Sequence, residues 1–314
     1  LRVGTFQYAA SLDDPSVLPR LIDYSVTRHV PSAARADVPA LALLEHVLDK
    51  QAALVAQWML VGFIHGVMNT DNMSFAGETI DYGPCAFMVL YSHDKVYSSL
   101  DRNGRYAYNN QPNIGLWNLT RLAESLLPLL SEDREAAVES AKTALGEYAG
   151  LYATAWLDGM RTKTGLVSRQ DDDRSLINDL MEIMNTHQAD FTLIFHYLSG
   201  LAIEPADSDR DLQDLFSDPG AVGEWTQRWR ARLQAEQSDD AGRQASMQAA
   251  NPVFIPRNHR IEAAIRAAED HGEFSVFHEL HTVLQNPYER QPGAAGYMLP
   301  PEPDEVVHQT FCGT

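Results

Sequence analysis

The sequence predicts a mainly α-helical fold that carries one small β-hairpin. Apolar residues recur at helical spacing through most of the 314 residues. One long apolar stretch, residues 52–67, leads directly into the polar run Asn69-Thr70-Asp71-Asn72. Two strand-like runs, Met73-Ser74-Phe75 and Glu78-Thr79-Ile80, then flank Ala76-Gly77 as a tight hairpin would.

The elements follow in order. Leu1-Arg2-Val3-Gly4-Thr5-Phe6 reads as running structure that opens on Leu, so this chain is expected to be a piece of a longer polypeptide. Residues 41–64 place apolar side chains at 43, 44, 47, 48, 54, 55, 58 and 59. That is helical spacing which becomes apolar nearly all round, the mark of a helix buried inside a domain. A helix over 112–130 has Pro112 in its first turn and apolar residues at 114, 116, 119, 122, 126 and 127. Ser131 then offers a capping hydroxyl before an acidic first turn, and the helix it opens is predicted to run to about Met160. Further helices are predicted over 175–186, 191–198, 209–216, 223–235, 260–270 and 273–284. Residues 169–174, with three consecutive Asp, and 205–210 read as loops. The polar segment 236–249 suits a surface helix or a mobile connection. A hairpin directly after the most buried helix is the organisation of a protein-kinase C-terminal lobe. Residues 1–165 are read as that lobe and 166–314 as a helical C-terminal extension with a Cys-containing tail.

Composition narrows the function classes. The formal net charge of −19 repels phosphate backbones, which argues against nucleic-acid binding through a broad basic surface. Two cysteines, Cys85 and Cys312, exclude a disulfide-built secreted scaffold. The apolar stretch is interrupted by Gln57 and His65 and is short for a bilayer, and no signal peptide is visible. A cytoplasmic protein with no membrane or nucleic-acid partner is expected.

The chemistry is concentrated in His65-Gly66-Val67-Met68-Asn69-Thr70-Asp71-Asn72 and Ile80-Asp81-Tyr82-Gly83. An Asn amide oxygen and an Asp carboxylate on opposite arms of a hairpin suit Mg²⁺ held against nucleotide phosphates, because a hard cation takes oxygen ligands. The protein-kinase pattern has His, a catalytic Asp two residues later and a metal-binding Asn seven after the His. His65 and Asn72 keep the seven-residue spacing, but Val67 stands where the Asp belongs. Valine accepts no proton, so either the chain is catalytically dead or Asp71 has taken over as base. Asn69, Asp71 and Asn72 also suit an ordinary turn, and His65 a structural hydrogen-bonder. Two other functions compete. A small-molecule phosphotransferase of kinase-like fold needs the Asp that Val67 replaces. A non-catalytic pseudokinase module has no need of the full set Asp71, Asn72 and Asp81.

His65-Gly66-Val67-Met68-Asn69-Thr70-Asp71-Asn72-Met73-Ser74, with Thr79-Ile80-Asp81-Tyr82-Gly83-Pro84, resembles the signature of the selenoprotein O family. So do Leu1-Arg2-Val3-Gly4-Thr5-Phe6-Gln7-Tyr8, Arg105-Tyr106-Ala107-Tyr108-Asn109-Asn110-Gln111-Pro112 and Trp117-Asn118-Leu119-Thr120-Arg121-Leu122-Ala123. Asn251-Pro252, Ile255-Pro256-Arg257-Asn258-His259 and Thr310-Phe311-Cys312-Gly313-Thr314 match as well, so the resemblance covers essentially the whole chain. It implies a protein-kinase-like fold that binds ATP in a flipped orientation. It implies transfer of AMP, with Mg²⁺ or Mn²⁺, to Ser, Thr or Tyr hydroxyls of protein substrates. Asp71 matches the family's proton acceptor, Asn72 and Asp81 its metal ligands, and Asp81 also touches ATP. Arg2, 69 residues before Asp71, matches an arginine on the ATP phosphates, where a planar fork binds two oxygens at once. The resemblance further implies that a glycine-rich loop, an ATP-binding Lys and its Glu partner precede Leu1, so the isolated chain is expected to bind ATP weakly or not at all and to be inactive by itself. Val89 departs from a commonly acidic position, and the loop's cysteine is Cys85 where some members have one near Tyr97. The family's redox link between this loop and the tail implies a bridge from Cys85 to Cys312. The selenocysteine of eukaryotic members is not matched.

Overall fold

The structure, a computed structural model, describes residues 1–236, 239–308 and 310. Helix α1 (Val3–Ala10) and helix α2 (Val17–His29) lead into α3 (Pro39–Leu60), around which the first part is built. A two-stranded antiparallel sheet pairs β1 (Phe63–Ile64) with β2 (Ala86–Phe87), in the register Phe63 with Phe87 and Ile64 with Ala86. Then come α4 (Gln111–Leu130), α5 (Arg134–Lys163), α6 (Asp173–His187) and α7 (Phe191–Leu198). The chain continues through α8 (Asp209–Gln213), α9 (Pro219–Leu233), α10 (Asp240–Ala250), α11 (Asn258–His271) and α12 (Ser275–Leu284).

Helix α3 is buried on most sides, as its all-round apolar pattern requires, and packs against both α4 and α5. Helix α5 meets it through small side chains, Ala137, Ala141 and Ala144, which let the two backbones approach closely. At the other end of the contact a Cβ added at Gly159 would overlap Leu60. A second core gathers Leu54, Val55 and Trp58 of α3 with Ile177 and Leu180 of α6 and Trp225 and Trp229 of α9, so residues on both sides of position 165 share it. No helix among the described residues is long and apolar enough to cross a membrane.

Several boundaries differ from the sequence expectations for local reasons. The buried helix stops at Leu60, not 64, because Gly62 at φ 69° turns the chain and frees Phe63 and Ile64 to pair with β2. The expected hairpin over 73–80 is a single bridge, Met73 to Thr79, turned by Gly77 at φ 70°. Asp133, not Ser131, caps α5: its carboxylate accepts the Glu135 N–H at 2.9 Å, while Ser131 Oγ accepts the Asp133 N–H at 3.1 Å. Helix α8 ends at Gln213, short of 216. Helix α10 is the surface helix among the two readings of 236–249, capped by Asp239. Helices α1 and α2 lie in the stretch the sequence left unassigned.

The run of three Asp residues holds more than a loop. Asp173 opens α6 fully buried, with Oδ2 accepting from Arg161 Nε at 2.7 Å and Oδ1 from Arg232 Nε at 2.8 Å. One carboxylate thereby ties α5, α6 and α9 together. Burial alone would raise its pKa, but hydrogen bonds from Arg232, the Gln170 N–H and Arg161 outweigh it and hold the carboxyl below the usual range. Asp173→Asn is expected to lose about 3–5 kcal/mol at pH 7, since two buried guanidiniums lose their counter-charge. A depressed carboxyl stabilises above its unfolded value of about 3.9 and stops doing so as pH falls through the lower folded value. Urea unfolding of both proteins should therefore show a gap that is full at pH 7 and narrows below about pH 4.

Candidate functional site

The candidate residues sit on the loop that leaves β1 and on the short bridge after it. His65 is fully buried, and its Nε2 lies 2.8 Å from the Ile80 carbonyl oxygen. Burial lowers its pKa and keeps the ring neutral. Nδ1 faces the Val67 N–H at 3.4 Å, so Nε2 carries the proton and donates to Ile80. His65 thus fastens the loop to the segment that delivers Asp81, the structural hydrogen-bonding role. Two buried polar side chains of α4 hold the same loop from below. Gln111 Oε1 accepts the His65 N–H at 3.0 Å and its Nε2 donates to Phe63 O at 2.9 Å. Asn118 Nδ2 donates to Met68 O at 2.9 Å. Sequence reasoning missed both as site residues. Their signal was present: amides seven positions apart on an otherwise apolar helix face.

The turn itself is an Asn-capped one. Asn69 Oδ1 accepts the N–H groups of Asp71, at 2.9 Å, and Asn72, at 3.0 Å, and so sets the 3₁₀ turn Thr70–Asn72. Asn72 donates its amide nitrogen to Val67 O at 3.0 Å, which leaves its oxygen available to a ligand. Asp71 is exposed beside it. The first residues of the chain run along the far side. Arg2 bridges Ser74, Val3 N–H donates to Met73 O at 3.1 Å, and Phe75 N–H donates to Leu1 O at 2.8 Å. A Cβ added at Gly4 would overlap the Asp71 carboxylate, so the first turn of α1 lies directly against it.

Asp81 is exposed and adopts φ 58°, a left-handed conformation that non-glycine residues seldom take. Such strain concentrates at functional sites. The bridges from residue 2 to 74 and from 73 to 79 run the three segments that carry Arg2, Asp71 with Asn72, and Asp81 alongside one another. Beside Asp81 opens a cleft of about 520 Å³, walled by Trp58, Phe63, Thr79, Tyr82, Phe87 and Tyr288. Among the described residues no three His, Cys, Asp or Glu side chains gather to cage a metal. The available donor set is the Asn72 amide oxygen and the Asp81 carboxylate. Two oxygen donors fit a hard divalent ion that takes its remaining ligands from phosphates and water.

Cys85 donates to Tyr82 O at 3.3 Å, and burial pushes its thiol up to about 11, away from thiolate reactivity at neutral pH. The tail comes down beside it: Thr310 Oγ1 donates to Pro84 O at 2.7 Å and Thr310 N–H to Tyr97 O at 3.0 Å. Cys312, and with it the expected bridge to Cys85, lies outside the described residues.

Comparison with known proteins bears on this geometry. Residues 1–285 match the family model described as protein adenylyltransferase SelO. The whole chain aligns at 54% identity with a protein nucleotidyltransferase YdiU from Rhodopseudomonas palustris (strain BisB5), covering 64% of that relative. It aligns over its whole length at 53% with the protein of that name from Bradyrhizobium diazoefficiens and at 51% with that from Rhizobium meliloti, again covering 64% of each. The chain thus spans less than two thirds of the length of these curated relatives. With more than half its length matched by the family model, the chain belongs to the SelO family.

Proposed function

We propose that this chain carries the catalytic loop of a protein-kinase-like enzyme that transfers AMP from ATP to Ser, Thr or Tyr hydroxyls of protein substrates. The observation that carries it is the approach of the first turn of α1 to Asp71, beside the bridged segments that bear Arg2, Asn72 and Asp81, in a member of a family described as protein adenylyltransferases. The buried α3 feeding a polar loop and a short bridge supports a kinase-like lobe over 1–165, with 166–314 as its helical extension. Asn72 and Asp81 would hold Mg²⁺ or Mn²⁺, which when bound offsets negative charge on the ATP phosphates. The Arg2 guanidinium binds phosphate oxygens and orients the nucleotide. Asp71 accepts the proton of the incoming hydroxyl as its oxygen bonds to the α-phosphorus. The bond from that phosphorus to the bridging oxygen breaks, and pyrophosphate leaves.

The test uses a longer polypeptide that carries this chain, with ATP labelled at the α- or the γ-phosphate in separate reactions with candidate protein acceptors. Label reaching protein from the α-position is expected. Label reaching it only from the γ-position would show a phosphate-transferring kinase.

Gly4 gives a second, separable prediction. Ala is favoured over Gly in a helix interior by about 0.8–1 kcal/mol and by less in the first turn, where Gly4 stands, so Gly4→Ala is expected to keep the melting temperature. The new methyl group displaces the Asp71 carboxylate, whose exposed side chain is free to swing away. A misplacement of about 1 Å lowers catalysis by about 10²-fold, so AMP transfer should fall by that order while stability does not. Unchanged transfer in a normally folded Gly4→Ala protein would show that the close approach has no catalytic consequence.

A further inference from the structure

The segment Ile255-Pro256-Arg257-Asn258-His259 plays no part in the chemistry above, yet it places buried polar groups at one wall of a small cavity. Helix α11 runs for 14 residues and begins with neither a side-chain cap nor an acidic residue in its first turn. Its first helical bonds are those of Arg260 N–H and Ile261 N–H to Arg257 O, at 2.9 and 3.1 Å. The N–H groups of Asn258 and His259, which have no acceptor among the described residues, lie at the positive end of the helix.

That end forms one wall of a cavity of about 150 Å³. Leu90, Lys95 and Tyr97, from the loop after β2, form a second wall, and Pro300, Val307 and His308 of the tail close it. His259 is only 6% exposed, and neither of its ring nitrogens has a hydrogen-bond partner among the described residues. A buried polar atom left unpaired costs about 1–3 kcal/mol, so two on one ring, at the wall of a cavity, call for an occupant. Directly behind, Arg257 is fully buried. Its Nη1 donates to Asp190 Oδ2 at 2.7 Å, while Nε and Nη2 have no partner among the described residues.

The charge around the cavity favours an anion. Lys95 holds its ammonium 5.0 Å from the centre of the Tyr97 ring. Arg257 and Arg260 lie beside His259, and the carboxylates nearby are Asp190 and Glu305. Asp190 is already engaged by Arg257 and by the Leu193 N–H at 2.9 Å. With Arg257 and Asp190 paired to each other, Lys95 and Arg260 stand against Glu305 here, in a chain whose formal net charge is −19. Several waters, at roughly 30 Å³ each, would fill the volume, but the unpaired groups are mainly donors and waters would leave the excess positive charge uncompensated. The rest of the lining, Val89, Leu90, Pro300, Pro301, Val306 and Val307, is apolar, which limits the polar ligand to a compact one.

We propose that this cavity binds a tetrahedral oxyanion of the phosphate class, held by the α11 N-terminus, His259 and Lys95. Because His259 lies on α11 and Lys95 on the loop that follows Asp81, the bound anion joins the α11 N-terminus to that loop. The inference stands apart from the catalytic proposal, since none of these residues belongs to the Asp71 patch.

The 314-residue chain, labelled with ¹³C at histidine Cε1, is titrated in separate arms with inorganic phosphate, pyrophosphate and AMP at constant ionic strength. His259→Gln assigns the His259 resonance. A saturable shift of that resonance is expected, with affinity weakened about tenfold or more in Lys95→Gln, from loss of a charge-assisted contact, and largely recovered in Lys95→Arg. The remaining histidine resonances report whether each variant stays folded. A response to phosphate itself assigns the free ion. A response confined to pyrophosphate or AMP assigns a phosphoryl group on a larger molecule, and either result supports the site. No saturable change at His259 in any arm, or the same curve in a folded Lys95→Gln protein as in the wild type, overturns the proposal.

Discussion

Asp71→Ala is expected to bind ATP nearly as well as the wild type and to lose AMP transfer by a factor of about 10²–10⁴, the usual contribution of a positioned general base. Asp71 lies on a turn whose backbone is held by Asn69, and its side chain is exposed, so truncation removes the carboxylate without disturbing the loop. The alternative acceptors are poor. Val67 cannot take a proton, and His65 is fully buried and committed to Ile80. The measurement is single-turnover transfer of α-labelled AMP, beside calorimetric ATP binding, on a longer polypeptide that carries this chain. Full transfer in Asp71→Ala would leave the chemistry standing and remove Asp71 from its role. Loss of ATP binding in parallel with transfer would make Asp71 a binding residue and not a base.

The parts of this site differ in how they could be read from sequence, and the difference is physical. Asp71, Asn72 and Asp81 are local: a turn, a bridge and a second turn lie within 11 residues, so spacing raised them as candidates beside the ordinary-turn reading. Arg2 reached the site only through family resemblance, because its approach to Ser74 is a tertiary contact across 72 residues. The same holds for Gly4 against Asp71, and for Gln111 and Asn118, which grip the loop from 46 and 50 positions away. Helix α7 was legible to the residue because Asp190 caps it at 2.9 Å and its strongly apolar run closes just before Gly200. The end of α3 was not. Phe63 and Ile64 continue an apolar run that suits buried helix and buried strand alike, and the choice rests on the left-handed Gly62 and on pairing with the distant β2. Helices α1 and α2 escaped because the first 40 residues mix Pro, Gly, Ser and β-branched residues with weak intrinsic preference for helix. Their burial against α4 and α3 decides the matter.

Asp81→Asn is expected to keep the melting temperature and to lower metal-dependent AMP transfer by about 10²-fold or more, the scale on which removal of one preorganised electrostatic group acts. The choice of Asn follows from the backbone. Asp81 sits at φ 58°, where Asn is tolerated almost as well as Asp but Ala carries a penalty of about 1–2 kcal/mol. Asp81→Ala therefore mixes strain with loss of the carboxylate, whereas Asp81→Asn removes only the negative charge. If the carboxylate serves to hold Mg²⁺, the Asn variant should require more Mg²⁺ to reach half its maximal rate, because a neutral amide oxygen is a weaker ligand for a hard cation. The Ala variant should show the same defect together with lower stability in urea. Comparing the two across a Mg²⁺ titration separates the backbone from the ligand. A folded Asp81→Asn protein with normal transfer at every Mg²⁺ concentration would rule out Asp81 as a metal ligand. The left-handed turn that presents it would then need an explanation in the packing of Tyr82 beside the aromatic cleft.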